Sequence, residues 1–184
     1  MDSKPASMDP RPVSDSRTTL ARWMSILDAN SAGSVHGGTI LKMADEAAGL
    51  AAVKHSRQRV VTAGVDRVNF LYPIHIGELV TFGASVNAVW HTSMEVGVRV
   101  EAENPLTGEV RHTNTAYFTM VALDAHGHPS TVPPLIATNE TEERRMREAE
   151  LRRSNRLDER EQILGGRRPP AVEPLSDARD GTAR

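Results

Sequence analysis

The chain has 184 residues, 22 Lys and Arg against 24 Asp and Glu for a formal net charge of −2, 4% aromatic residues and no cysteine. That length suits one domain with appendages. The lack of cysteine excludes a disulfide framework, a thiol nucleophile and a Cys-ligated zinc, and fits a reducing compartment. Near-neutral charge gives no nucleic-acid footprint, and no apolar run has the length of a membrane helix or a secretory signal.

Aromatics and charges are unevenly placed. All seven aromatics (Trp23, Phe70, Tyr72, Phe82, Trp90, Tyr117, Phe118) fall between positions 23 and 118, whereas 22 of the 46 charged residues lie in the last 45. Residues 1–15, with Pro5, Pro10 and Pro12, read as a disordered leader. Residues 16–136 read as the foldable unit, 137–164 as a charged helical extension and 165–184 as a disordered tail.

In chain order, Thr18 to Leu27 predicts a strand, and Asp28 to Gly38 a loop rich in Asn, Ser and Gly. Thr39 to Lys54 predicts a helix that is apolar nearly all round and mostly Ala, hence buried, with small side chains that let a sheet come close. The period then becomes two. Val60 to Val68 predicts a strand. Leu79 to Trp90 predicts another, with Val80, Phe82, Ala84, Val86, Ala88 and Trp90 on one face. Met94, Val96, Val98 and Val100 alternate with Glu95, Gly97, Arg99 and Glu101, the pattern of a half-buried antiparallel strand. Asn104 to Gly108 is a turn, and Val110 to Leu123 a long strand ended by Asp124 to Gly127. The order predicts an α+β domain whose antiparallel sheet curls round one Ala-rich helix. Its uncovered edges predict a homodimer at minimum. Glu140 to Leu164 predicts a solvated helix laced by the i,i+4 pairs Glu140–Arg144, Glu143–Arg147 and Glu148–Arg152, stopped at Gly165-Gly166.

No serine elbow, phosphate-binding loop, zinc-protease helix or dinucleotide fingerprint is present. The informative stretch is Asp28 to Ala48. Gly37 and Gly38 open the helix, where free N–H groups and a missing Cβ favour an approaching oxygen. Asp45 falls in the second turn of an apolar helix, where a carboxylate is costly unless it is paired or functional. From the residues alone it reads as a general base or as a plain solvated acid.

Several blocks occur in order: Asp28-Ala29-Asn30 with Gly33, then His36 to Met43, Asp45-Glu46-Ala47, Arg67 to Leu71 with Pro73, Ile76-Gly77-Glu78, Ser93 to Val96, Thr107-Gly108 and Val132-Pro133-Pro134. Together they resemble the hotdog-fold acyl-CoA thioesterases, the cytosolic (brain-type) hydrolases and their single-domain bacterial relatives. The resemblance implies the hotdog fold and hydrolysis of a fatty acyl-CoA. Asp45 would act as general base and Asn30 would orient the water or thioester carbonyl, the two meeting across a dimer interface. It implies an oxyanion role for the Gly37 and Gly38 amides. His36, beside the glycines, reads as a substrate contact or as a loop histidine packing its ring. Ser93, Met94 and Arg67 would face coenzyme A. Lys54, Arg57, Arg59 and Arg111 are weaker phosphate candidates. Asn69 stands where relatives often carry an acid.

The expected cofactor list is empty, coenzyme A being part of the substrate, and no metal is expected; His126-Gly127-His128 is only a weak metal motif. Expected partners are acyl-CoA and further copies of the chain, as a dimer or a hexamer of three dimers, with neither nucleic acid nor membrane, in the cytoplasm. A non-catalytic acyl-CoA-binding module is the rival reading. A hotdog hydratase fits less well, because no Asp–His pair opens the helix.

Overall fold

The structure is a computed structural model that describes residues 8–165, so the expectations for 1–7 and 166–184 lie outside the described residues. Strand β1 is Arg11–Pro12, β2 Thr18–Trp23, β3 Arg59–Val65, β4 Leu79–Val89, β5 Ser93–Asn104, β6 Glu109–Leu123 and β7 Leu135–Ile136; helix α1 is Gly37–Ser56 and α2 Glu140–Leu164. Five strands form one antiparallel sheet in the order β2-β4-β5-β6-β3, and β1 pairs in parallel with β7 outside it.

The sheet curls round α1, which lies against all five of its strands. Ile40, Met43, Ala44, Ala47, Ala48, Ala51 and Ala52 are buried, and Val80, Phe82, Ala84 and Val86 of β4 with Met94, Val96, Val98 and Val100 of β5 meet them. Methyl side chains on the helix let β4 and β5 close over its axis, so the core needs few aromatics. Only Phe82 and Phe118 are fully buried, while Trp23, Phe70 and Tyr72 are exposed. The helix is also less enclosed than its composition predicts: Leu50 and Val53 face solvent in the single chain.

Four expectations need revision. First, part of the expected leader belongs to the fold. The Arg11 N–H donates to Pro134 O, Val13 is buried, and the buried Ser16 hydroxyl accepts from the Val86 N–H at 3.0 Å while donating to Val13 O at 2.7 Å. Second, the first strand ends at Trp23 rather than Leu27. There the Met24 N–H turns to Glu78 O, and a Ser25–Asp28 capping box closes a short 3₁₀ turn over Ile26–Asp28.

Third, β4 does not keep one face to its end. A bulge between Val86 and Ala88 leaves Asn87 unpaired and sets Ala88 opposite Glu95, so that Ala88 and Trp90 turn to the outer face of the sheet. Fourth, α2 is not a freely solvated helix. It lies against that outer face, with Ala149 buried. Arg152 pairs with Glu95 of β5 at 2.7 Å instead of with Glu148; Arg144 pairs with Glu148, and only Glu143–Arg147 keeps the expected partner, at 3.9 Å. The α2 N-terminus is capped by Asn139, whose side chain accepts from the Glu142 N–H.

Candidate active site

The loop between β2 and α1 is held from both ends. The Ser25 N–H and hydroxyl donate to the Asp28 carboxylate, and Arg22 pairs with it at 2.7 Å. The backbone bond from Ser25, opposed by burial and helped by the Ser25 hydroxyl and the Arg22 charge, holds Asp28 below its ordinary range. The Asp28 carbonyl accepts from the His36 N–H, and Val35 donates to Ile74 O, which fixes where α1 begins.

Within this loop the Asn30 side chain is held by three hydrogen bonds. Its Oδ1 accepts from the Ala32 N–H at 2.8 Å and the Ser34 N–H at 3.2 Å, which settles which carboxamide atom is oxygen. One N–H of its Nδ2 donates to Ser34 Oγ at 2.9 Å. The carboxamide has a second N–H, so the group is left as a donor rather than an acceptor.

At the helix start, His36 is the N-cap. Its Nδ1 accepts from the Gly38 N–H at 2.9 Å, which puts the ring proton on Nε2. The Gly38 amide is therefore spent on the cap and is not available as the expected oxyanion donor. Gly37 is different: its N–H is the first of the helix and has no intrahelical acceptor. The Phe70 ring closes over it, and a Cβ added at Gly37 would lie 3.3 Å from that ring. A side chain at this position would need the ring to give by a few tenths of an ångström.

Asp45 lies eight residues beyond Gly37, about 12 Å along the axis at 1.5 Å per residue. It is half-buried on the flank of α1 next to β3. Thr62 of β3 donates its hydroxyl to Asp45 Oδ1 at 2.6 Å. Sequence reasoning missed this threonine. A Thr in a strand is unremarkable locally, and only the packing of β3 along α1 brings it to Asp45. Within one chain no hydrogen bond joins Asn30 to Asp45.

The coenzyme A candidates divide. Met94 is fully buried against α1 and serves the core, not a ligand. Ser93 begins β5 half-buried, and its carbonyl accepts from the Trp90 N–H. Arg67 is well exposed and pairs with Glu159 of α2 at 3.0 Å. The weaker basic candidates are engaged elsewhere: Lys54 donates to Arg17 O, Arg59 to Asp124 O and Ala125 O, and Arg111 to Glu78 at 2.8 Å, while Arg57 is the left-handed C-cap of α1.

A family model described as the thioesterase superfamily matches residues 32–109. An apo-hexameric acyl-CoA thioesterase of known structure is 37% identical, covers 87% of this chain and 99% of its own, and superposes with a TM-score of 0.79. This chain belongs to the hotdog-fold acyl-CoA thioesterase family. The acyl-CoA hydrolase of Staphylococcus aureus, solved with butyryl coenzyme A and coenzyme A, is 30% identical over 84% of this chain and 97% of its own, with a TM-score of 0.75. That hydrolase has also been solved with alanine at an asparagine, at an aspartate fifteen positions later and at a threonine seventeen beyond that. The cytosolic acyl coenzyme A thioester hydrolase of mouse is 34% identical over 78% of this chain, which spans 38% of the mouse protein. The hotdog frame accounts for the curled sheet and for α1 at its centre.

Proposed function

We propose that this hotdog protein hydrolyses fatty acyl-CoA to a free fatty acid and coenzyme A, with a water activated by Asp45. The observation that carries the reading is the Asp45–Thr62 contact. A carboxylate on the central helix is held in one orientation, leaving Oδ2 to take a proton from water. The spacing Asn30, Asp45, Thr62 equals that of the three alanine positions in the Staphylococcus aureus hydrolase, which supports one shared set of groups.

In this reading water attacks the thioester carbonyl as Asp45 accepts its proton. The developing oxyanion is stabilised by the Gly37 N–H at the positive end of α1 and by the remaining N–H of Asn30. The tetrahedral intermediate collapses by breaking the C–S bond. The thiolate leaves and takes the proton from Asp45, giving acid and thiol.

Asn30 and Asp45 share no hydrogen bond within one chain, and in this reading a second copy completes the site. The open edge of β3, with Val61 and Val65 exposed, and the exposed Leu50 and Val53 of α1 supply an apolar surface for a homodimer. The hexameric relative supports three such dimers as a further assembly. The cytosolic mouse relative supports a cytoplasmic location, and no helix among the described residues is long and apolar enough to cross a membrane. The test is release of coenzyme A from acyl-CoA of graded chain length, followed with a thiol reagent, for wild type, Asp45→Ala and Asn30→Ala. Turnover by wild type that both substitutions abolish supports the reading. No release at any chain length favours the binding module.

A further inference from the structure

We propose that Arg156 of α2 is a positioning residue for the substrate-binding edge, acting through Asp66; this rests on the hydrolase reading above. The link begins on the outer face of the sheet, where Glu95 is 0% exposed. A buried carboxylate needs partners, and α2 supplies them: Arg152 approaches both Glu95 oxygens at 2.7 to 3.2 Å, and Asn87 from the β4 bulge adds a third donor at 3.2 Å. The Arg152 guanidinium also lies 3.6 Å from the centre of the Tyr117 ring. One helical turn on, Arg156 Nη1 is 3.5 Å from Glu95 Oε2 and grips Asp66 at 2.7 and 3.0 Å. The buried network thus sets the register of α2, and Arg156 passes that register to Asp66.

Asp66 is the first residue after β3 and begins the run that carries Arg67 and Phe70, the ring that covers Gly37. This run is tethered to β6 at two points, Asp66 N–H to Tyr117 O and Leu71 N–H to Thr113 O, both at 3.0 Å. A cleft of about 730 Å³ lies between α2 and the exit of β3, lined by Val65, Asp66 and Arg67 on one side and Arg152 and Arg156 on the other. The backbone tethers hold the run to the sheet, and the Arg156–Asp66 and Arg67–Glu159 pairs bridge the cleft to α2, so Arg156 sets how the run that leads to Phe70, over Gly37, lies against the helix. Thr62 lies upstream in the paired part of β3 and Asp45 on α1, so the pair governs substrate seating more than the chemical step.

The experiment measures KM, kcat, Tm and the rate of trypsin cleavage after Arg67 in the full chain. The variants are Arg156→Ala, Arg156→Lys, Asp66→Asn, the double variant Arg156→Ala with Asp66→Asn, and Arg153→Ala as a control on the same helix. We expect Arg156→Ala to raise KM about tenfold with kcat within about threefold, the size of coupling typical between linked sites. Lysine should restore most of the loss, the double variant should match the worse single one, and Arg153→Ala should leave KM unchanged. Cleavage after Arg67 should accelerate in Arg156→Ala and not in Arg153→Ala. An unchanged KM with a lowered Tm, additive effects in the double variant, or equal effects of Arg153→Ala would overturn the proposal. Asp66→Asn carries the same test if Arg156→Ala does not fold. Wild type without hydrolase activity would sink the functional reading, while the cleavage rate would still decide whether Arg156 orders the exit.

Discussion

Thr62 Oγ1 and Asp45 Oδ1 lie 2.6 Å apart, joining the sheet edge β3 to the central helix α1 at the carboxylate assigned to proton transfer. A hydroxyl donor on one carboxylate oxygen fixes the plane of the group and leaves the other oxygen for water. Thr62→Ala should lower kcat about tenfold to a hundredfold, the scale of a misplaced general base, with KM little changed. Thr62→Ser keeps the hydroxyl and should recover most of the rate. Steady-state kinetics on one acyl-CoA check this; a silent Thr62→Ala would show that Asp45 needs no such partner.

The Gly37 contact predicts a steric effect. A Cβ there meets the Phe70 ring at 3.3 Å, so Gly37→Ala pushes the ring away from the helix start. Phe70 is exposed and can give by these few tenths of an ångström, so stability should change by less than about 1 kcal/mol, while kcat falls because the ring no longer sits over the helix start. Phe70→Leu alone should lower kcat likewise with little change in Tm. Thermal unfolding and kinetics of the two variants separate these effects.

Glu95 and Arg152 predict a strong asymmetry between single and double changes. Glu95→Ala leaves Arg152, 21% exposed, without its main partner and should destabilise by about 3–5 kcal/mol, the range for breaking a buried pair. Glu95→Leu combined with Arg152→Leu removes both charges and should recover most of that loss. Equal destabilisation by single and double variants, in urea unfolding, would mean that packing rather than charge holds α2 to the sheet.

Two buried groups predict the acid limb of stability. His55 at the end of α1 is fully buried, with Nε2 bonded to Pro133 O, and burial lowers its pKa below the ordinary 6.5 despite that bond. The unfolded chain therefore binds the proton more readily, and stability, full above pH 6.5, is lost as pH falls below it. Burial alone would raise Glu142, but Thr138, Asn139 and Arg17 hold it below its ordinary 4.5, so its contribution is lost as pH falls below that value. Tm measured from pH 8 to 3.5 should decline in these two stages. The first stage should be absent in His55→Gln, which stays neutral and can still donate to Pro133 O.

The fold was largely legible because its strongest signals are periodic. Met94 to Val100 alternate cleanly, and the Ala run of α1 is unmistakable, so strand, helix, then four strands follows from sequence. The bulge at Asn87 was not legible, because Ala88 and Trp90 fit the period of two as well on either face. The seating of α2 was hidden for a related reason: Arg152 has a plausible partner in Glu148 four residues away, and only the fold offers Glu95. At the site, Gly37 and Asp45 could be marked from residue type and context, and Asn30 only from the family resemblance. Thr62 and the capping use of His36 could not, since both depend on which atom faces which in three dimensions.

The central claim is that Asn30 of one copy and Asp45 of another complete one site, and mixing two inactive variants tests it most directly. Asn30→Ala and Asp45→Ala should each be inactive alone. Unfolded together and refolded as a random mixture, half the dimers carry both kinds of chain. Each mixed dimer then has one site with neither substitution, so about one quarter of wild-type turnover should return. A mixture as inactive as its two components, with mixed dimers shown to form, would contradict the account and place both groups in a site within one chain.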